Sequence, residues 1–143
     1  DIKSIALLPN VLANQHAHAN DAFEALFIRD GVLIEGSHSN LFAVIDGTLM
    51  TYPASNYILA GITRAFVIDL ARDLKIPVAE APILWDRIND IQEMFLSGTT
   101  TEVMPVATVD GRNVGSGAPG PITRKLQEAF AERADEMTRS VAA

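Results

Sequence analysis

Three Asp-Gly pairs punctuate the chain, at Asp30-Gly31, Asp46-Gly47 and Asp110-Gly111. Asp-Gly between apolar runs is the strongest short-range hairpin signal, because both residues tolerate positive φ. The first pair joins segments 22–28 and 32–35. The second joins 40–45 and 48–52, and the third joins 103–109 to the short stretch after Arg112. These segments read as antiparallel strands, some with apolar runs long enough to be buried on both faces. A chain committed to three hairpins must build its core around antiparallel sheet.

Elsewhere the apolar period changes from two to three or four. Over 64–75, Phe66, Val67, Leu70, Ala71 and Leu74 form one helical stripe, and Pro77 stops it. Over 121–139, Ile122, Leu126, Ala129, Phe130, Arg133 and Met137 share a face, with Pro121 suited to the first turn. A weaker helix is expected over 9–18, carrying Val11, Leu12 and Gln15. A helical turn is expected near 85–91 and a short apolar strand over 94–97. Strands and helices interleave without strict βαβ alternation. The expectation is an α+β or mixed α/β domain, a mixed and largely antiparallel β-structure with helices packed on it.

Composition removes several classes of function. At 143 residues, 48% apolar and 20% charged, the chain is one domain with enough apolar material for a core. It has no Cys, which excludes a disulfide scaffold, a thiolate metal site and a Cys nucleophile. The net charge of -7 argues against nucleic-acid binding. No apolar run approaches the roughly 18 residues that span a bilayer. The chain starts at Asp1 rather than Met, as a cleavage product or a fragment would.

A few residues stand where chemistry is possible. Lys3 lies in the apolar run Ile2-Lys3-Ser4-Ile5-Ala6. A desolvated lysine has a depressed pKa, and a neutral amine can form a Schiff base with a carbonyl. The competing reading is a terminal lysine that snorkels to water. Glu35 ends a strand before Gly36-Ser37-His38-Ser39-Asn40. It is either a buried carboxylate held by hydrogen bonds or a solvated strand end. Gly61-Ile62-Thr63-Arg64 opens the first clear helix and offers free N–H groups to an anion, or else an ordinary Thr cap. Ser97-Gly98-Thr99-Thr100-Thr101-Glu102 is either a second anion cup or a tight turn. His16 and His18, two apart, share no helix face and point to no metal site. Arg64, Arg124 and Arg133 read as solvated helix residues.

Taken together and in this order, the motifs resemble the fold-type IV, or class IV, pyridoxal-phosphate aminotransferases, and within them the D-amino-acid group. The anchors are Asp1-Ile2-Lys3-Ser4, Asn10-Val11-Leu12-Ala13 and Glu35-Gly36-Ser37-His38-Ser39-Asn40-Leu41-Phe42. Ile58-Leu59-Ala60-Gly61-Ile62-Thr63-Arg64, Phe95-Leu96-Ser97-Gly98-Thr99-Thr100-Thr101-Glu102-Val103 and Thr123-Arg124-Lys125-Leu126 complete them. The resemblance runs from Asp1 to about Glu132. It implies the larger, C-terminal, cofactor-binding domain of that fold over 1–143, with the family's small N-terminal domain absent from these residues.

The resemblance also implies roles. Lys3 matches the catalytic Schiff-base lysine, and Glu35 the carboxylate that pairs with the pyridinium nitrogen. Leu59 matches the apolar residue on the ring face. Gly61, Ile62 and Thr63 match the helix start that holds the phosphate, with Gly98 and Thr99 as the second phosphate contact. Gly98 stands where the D-amino-acid group can carry Ser, which leaves a backbone contact there. Ser37 and Ser39 match the hydrogen-bonded shell, and His38 carries no assigned role. The implied cofactor is pyridoxal 5'-phosphate. The implied reaction moves the amino group of a D-amino acid, D-alanine first, to 2-oxoglutarate in a cytoplasmic homodimer. Branched-chain L-amino-acid transamination and aminodeoxychorismate lyase activity keep the fold and change the reaction. A non-catalytic domain is the reading from another class. Without its small domain the chain is expected to be inactive and to leave apolar surface uncovered.

Overall fold

The computed structural model describes residues 7–142. Its elements run α1 (Leu7–Ala19), β1 (Leu26–Arg29), β2 (Val32–Gly36), β3 (Asn40–Ile45), β4 (Thr48–Thr51), α2 (Ile62–Asp73), β5 (Val78–Glu80) and β6 (Ile83–Leu84). A 3₁₀ turn (Trp85–Asp90) then leads to β7 (Glu93–Gly98), β8 (Glu102–Pro105), β9 (Thr108–Val109), β10 (Arg112–Asn113) and α3 (Pro121–Val141). The expected mixed, largely antiparallel architecture is present.

All three Asp-Gly pairs close two-residue hairpins. Their φ values are 50° and 74°, 50° and 75°, and 49° and 75°, the left-handed pair that such a turn requires. The registers Arg29↔Val32, Ile45↔Thr48 and Val109↔Arg112 follow from those turns.

The main sheet has the order β5-β4-β3-β7-β8 and is antiparallel except where β4 meets β5. All six residues of β3 are buried. Because successive side chains alternate faces, Phe42 and Val44 point to one side and Leu41, Ala43 and Ile45 to the other. Phe42 and Val44 join Val67, Ile68, Leu70 and Ala71 of α2, Phe95 of β7 and Leu126 of α3 in one core. Leu41, Ala43 and Ile45 join Leu33, Ile83, Met94 and Leu96 in a second core, beneath the small sheet β1-β2-β6. Phe42 faces Phe95 across the ladder, and their rings stack at 4.9 Å. Phe66 and Phe130 meet edge-on at 5.1 Å where α2 crosses α3.

The helices begin and end for distinct reasons. α2 starts two residues before the expected position 64, with Gly61 as an extended N-cap and no side-chain cap. It ends in a Schellman turn. Lys75 takes φ 60°, its N–H reaches the Arg72 carbonyl, and the Ile76 N–H reaches that of Ala71. At the start of α3, the buried Glu93 carboxylate accepts N–H groups from Ile122 and Thr123 and the Thr123 hydroxyl, at 3.1, 2.7 and 2.7 Å. A side chain at Gly120 would overlap that carboxylate.

Several expectations need correction. Arg64 is 4% exposed rather than solvated. Its Nη2 donates to the Tyr52 carbonyl at 2.9 Å and to Glu80 at 2.8 Å, tying α2 to the residue after β4 and to β5. The expected strand 103–109 breaks into β8 and β9 because the two take different partners: β8 pairs with β7 in the main sheet, whereas β9 pairs with β10 in a separate two-stranded sheet. β5 and β6 escape the sequence reading; they are three and two residues long and carry no hairpin signal. The first strand starts at Leu26 rather than 22. The apolar stripe of α3 also fades after Phe130: Arg133 faces Asp73 at 3.2 Å and Met137 is exposed.

Phe42 is fully buried and central to the larger core, so Phe42→Ala should leave a cavity costing about 3–5 kcal/mol in a urea titration. A loss below about 1 kcal/mol would mean that the Phe42–Phe95 stack is not the centre of that core.

Candidate active site

At one end of the two packed sheets, β2 finishes, β3 begins and β7 finishes. β2 delivers Glu35 half-buried, one residue before the turn 36–39. That turn is closely tied. The Gly36 N–H donates to the Ser39 carbonyl at 2.8 Å and the Ser37 N–H to the Ala25 carbonyl at 2.9 Å. Asn10 of α1 donates to the Ser37 carbonyl at 2.8 Å. The His38 N–H and the Ser39 hydroxyl both donate to Glu24. Ser37 Oγ is buried and has no hydrogen-bond partner among the described residues.

Asn40, the first residue of β3, is 7% exposed and carries its amide into the loop before α2. Its Nδ2 donates to the Leu59 carbonyl at 2.9 Å, and its Oδ1 accepts the Gly61 N–H at 3.4 Å. The Leu59 N–H donates to Glu35 Oε2 at 3.3 Å. Thus Glu35, Leu59 and Gly61 are joined through the loop 59–61. Leu59 is 62% exposed, and Ile62 is 91% exposed in the first turn of α2.

Asn40 also pairs with Ser97 across the ladder, so the turn after β7 reaches the same end. A side chain at Gly98 would meet Thr101 Oγ1 at 2.9 Å and would lie 3.8 Å from the Ser39 Cβ. Gly98 and Ser39 are therefore neighbours. Ser97 Oγ and Thr101 Oγ1 are buried and have no hydrogen-bond partner among the described residues. Thr99 is exposed at the tip of the turn, and Thr63 is half-buried and makes no cap.

The structure thus gathers Glu35, Ser37, Ser39, Leu59, Gly61, Ile62, Thr63, Gly98 and Thr99 about the start of β3. Lys3 lies outside the described residues, four positions before Leu7. His16, His18 and His38 are exposed, and among the described residues no cluster of His, Asp and Glu could hold a metal ion. Two participants were missed by sequence reasoning. Asn40 stood inside a quoted motif without a role, although a polar residue heading an apolar strand was a signal. Glu24 offered no signal of its own.

The electrostatics centre on Glu35. Burial strips its carboxylate of water and raises its pKa from 4.5 to about 7; the Leu59 N–H opposes this and the Glu24 charge adds to it. A carboxylate so placed favours a cationic partner. The α2 start, with first-turn N–H groups that no side chain caps among the described residues, favours an anion. Orphaned hydroxyls at Ser37, Ser97 and Thr101 add donors. These features fit a ligand with a protonated ring nitrogen at one end and a phosphate at the other.

The family described as amino-transferase class IV matches residues 1–109. The chain is 42% identical over 130 residues to the D-alanine aminotransferase of Bacillus licheniformis, covering 91% of this chain and 46% of that protein. It therefore spans about half the length of the curated relatives it matches. Among solved structures, the branched-chain amino acid aminotransferase of Escherichia coli superposes with a TM-score of 0.84 at 38% identity, covering 88% of this chain and 43% of that one. A second branched-chain amino acid aminotransferase, solved with pyridoxamine 5'-phosphate, gives 0.83 at 38% identity, over 88% and 42%. That of the archaeon Thermoproteus uzoniensis, solved with norvaline, gives 0.82 at 38% identity, over 87% and 41%.

The Glu35 environment predicts a pH effect in protein without added cofactor. Unfolded, Glu35 loses its proton near 4.5; folded, it keeps it to about 7. The folded state binds more protons across that window, so this contribution to stability is lost as pH rises through it. Glu35→Gln should melt above wild type at pH 7 and beyond, and the gap should close toward about pH 4.5. A melting-temperature difference that is flat across the window would contradict the assigned burial of Glu35.

Proposed function

The chain belongs to the class IV aminotransferase family, and we propose that it forms the cofactor-binding part of an enzyme that moves an amino group from a D-amino acid to 2-oxoglutarate. The observation that carries this reading is the arrangement around Asn40: a desolvated carboxylate at Glu35, an uncapped helix start at Gly61–Ile62–Thr63, and the hydroxyl-lined turn at Gly98 and Thr99. D-alanine is the favoured donor because the curated relatives are D-alanine aminotransferases.

The family's cofactor is pyridoxal 5'-phosphate. When bound, it supplies an electron sink for charge developing at the substrate α-carbon. Each residue's task follows from its place. Lys3 would anchor the cofactor through Nζ and move the substrate α-proton. Glu35 Oε2 would hold the ring nitrogen's proton, an ion pair that replaces the water burial removed. The exposed Leu59 side chain would cover a ring face. The Ile62 and Thr63 N–H groups, the Thr63 hydroxyl and the Gly98–Thr99 backbone would hold the phosphate. Ser37 and Ser39 would complete the hydrogen-bonded shell.

The reading takes this chain as the larger domain of a two-domain, homodimeric, cytoplasmic enzyme. Coverage of about half of each relative supports the first part. Among the described residues no helix is long and apolar enough to cross a membrane. Solved neighbours that are branched-chain enzymes favour a second reading, transamination of L-leucine-like substrates on the same site.

Two measurements test this on the intact protein. Borohydride reduction after adding pyridoxal phosphate should place the label on Lys3 by mass spectrometry and on nothing in Lys3→Ala. An unlabelled Lys3 sinks the enzyme reading. Turnover with 2-oxoglutarate should be faster with D-alanine than with L-leucine; the reverse order selects the branched-chain reading, and faster breakdown of aminodeoxychorismate selects the lyase.

A further inference from the structure

We infer that Glu24 is a positioning residue for this site: its carboxylate locks the turn 36–39 and thereby sets where Glu35 stands. The inference rests on the cofactor-binding reading above and names a residue that reading does not use.

Glu24 lies between α1 and β1, half-buried, and points under the turn. Its Oε1 accepts the His38 N–H, and both of its oxygens lie 2.9 Å from the Ser39 hydroxyl. One side chain therefore satisfies two consecutive residues of the turn.

Gly36 shows that this contact is built in. Its φ lies outside the left-handed region, so the backbone does not demand glycine there. Space does: a Cβ at position 36 would overlap Glu24 Oε1 and crowd Ser39 Oγ. Position 36 is thus kept empty by the Glu24 carboxylate.

The ladder alone does not fix this end of β2. The β1–β2 register shifts between Leu26 and Ile28, and Leu26↔Gly36 lies beyond the irregularity. Glu24, two residues before Leu26, spans that weak point and ties the turn to β1. Glu35 directly precedes Gly36, and its one described backbone contact, to Leu59, is 3.3 Å long. A bond that long tolerates little displacement. Losing the Glu24 tie therefore moves Glu35 relative to the loop that carries Leu59 and Gly61.

Glu24 also acts by charge. Among the described residues it is the one charged side chain that acts on Glu35 through space, and the Leu59 N–H is the facing backbone donor. A second carboxylate acting on Glu35 would add to the negative potential that favours a protonated nitrogen held there.

The test uses the intact protein and three variants, Glu24→Ala, Glu24→Gln and Gly36→Ala. The readouts are the Glu35 carboxyl titration by ¹³C NMR without cofactor, pyridoxal phosphate affinity by fluorescence, and kcat and KM for the amino donor. Glu24→Ala and Gly36→Ala should weaken cofactor binding about tenfold and lower kcat more than they change KM, as loss of two hydrogen bonds to an ionised group implies. Glu24→Gln keeps an acceptor for His38. It should restore cofactor affinity to within about threefold of wild type, while the Glu35 midpoint moves down for want of the neighbouring charge.

Wild-type values of both the Glu35 midpoint and cofactor affinity in the Glu24 variants overturn the inference. Where Glu24→Ala fails to fold, Glu24→Gln decides alone: an unmoved Glu35 midpoint overturns it. Failure of the wild type to take up pyridoxal phosphate would sink the proposed function, while the NMR titration still decides whether Glu24 governs Glu35.

Discussion

The structure depends on β3 being buried on both faces. Register is strongly specified wherever a strand face is buried, and β3 packs both of its faces into a core. A one-residue shift would send Phe42 and Val44 into the space filled by Leu41, Ala43 and Ile45, and the reverse. Hydrogen bonds to β4 and β7 then fix the strand along its length. The consequence reaches the site directly. Locking the register places Asn40 at the strand's entrance, where its amide bonds the Leu59 carbonyl and the Gly61 N–H. Core packing thus helps position the loop before α2.

Two helices pack on the same face of the main sheet, and their N-termini are treated oppositely. The start of α3 is closed by the Glu93 carboxylate, which satisfies two N–H groups and the Thr123 hydroxyl. The start of α2 has Gly61 as its N-cap, and among the described residues no side chain accepts from the N–H groups of its first turn. Both ends carry the same partial positive charge, so both gain from an anion. One receives it from the chain. The other lies at the end of the sheet where Glu35, Ser39 and Gly98 gather, and is open to an anion from a ligand.

Local signals carried most of the architecture. Asp-Gly turns gave three hairpins because the φ pair they need is encoded in two adjacent residues. The stripes of α2 and α3 were legible because period and burial coincide over three turns. The individual site residues were ambiguous one at a time, and only their order along the chain selected a family. What stayed hidden depends on contacts between distant residues. Arg64 looks solvated until β5 brings Glu80 beside it. Glu24 has no motif of its own, and its meaning lies in Gly36, twelve positions later, lacking a side chain. Buried polar partners of this kind leave no periodicity to read.

The energetics of Glu35 explain why such a site would suit a cationic ring. The chain places a carboxylate where burial disfavours its charge, sets a second carboxylate near it, and, among the described residues, brings no cationic side chain to act on it. That arrangement costs stability near neutral pH when the carboxylate is ionised alone. It is relieved by any ligand that presents a protonated nitrogen at Glu35 and an anion at α2. Such a ligand spans both unsatisfied ends at once, so each half of its binding reinforces the orientation of the other. The same two features that leave the site electrostatically incomplete would therefore favour one ligand chemistry and one orientation of it.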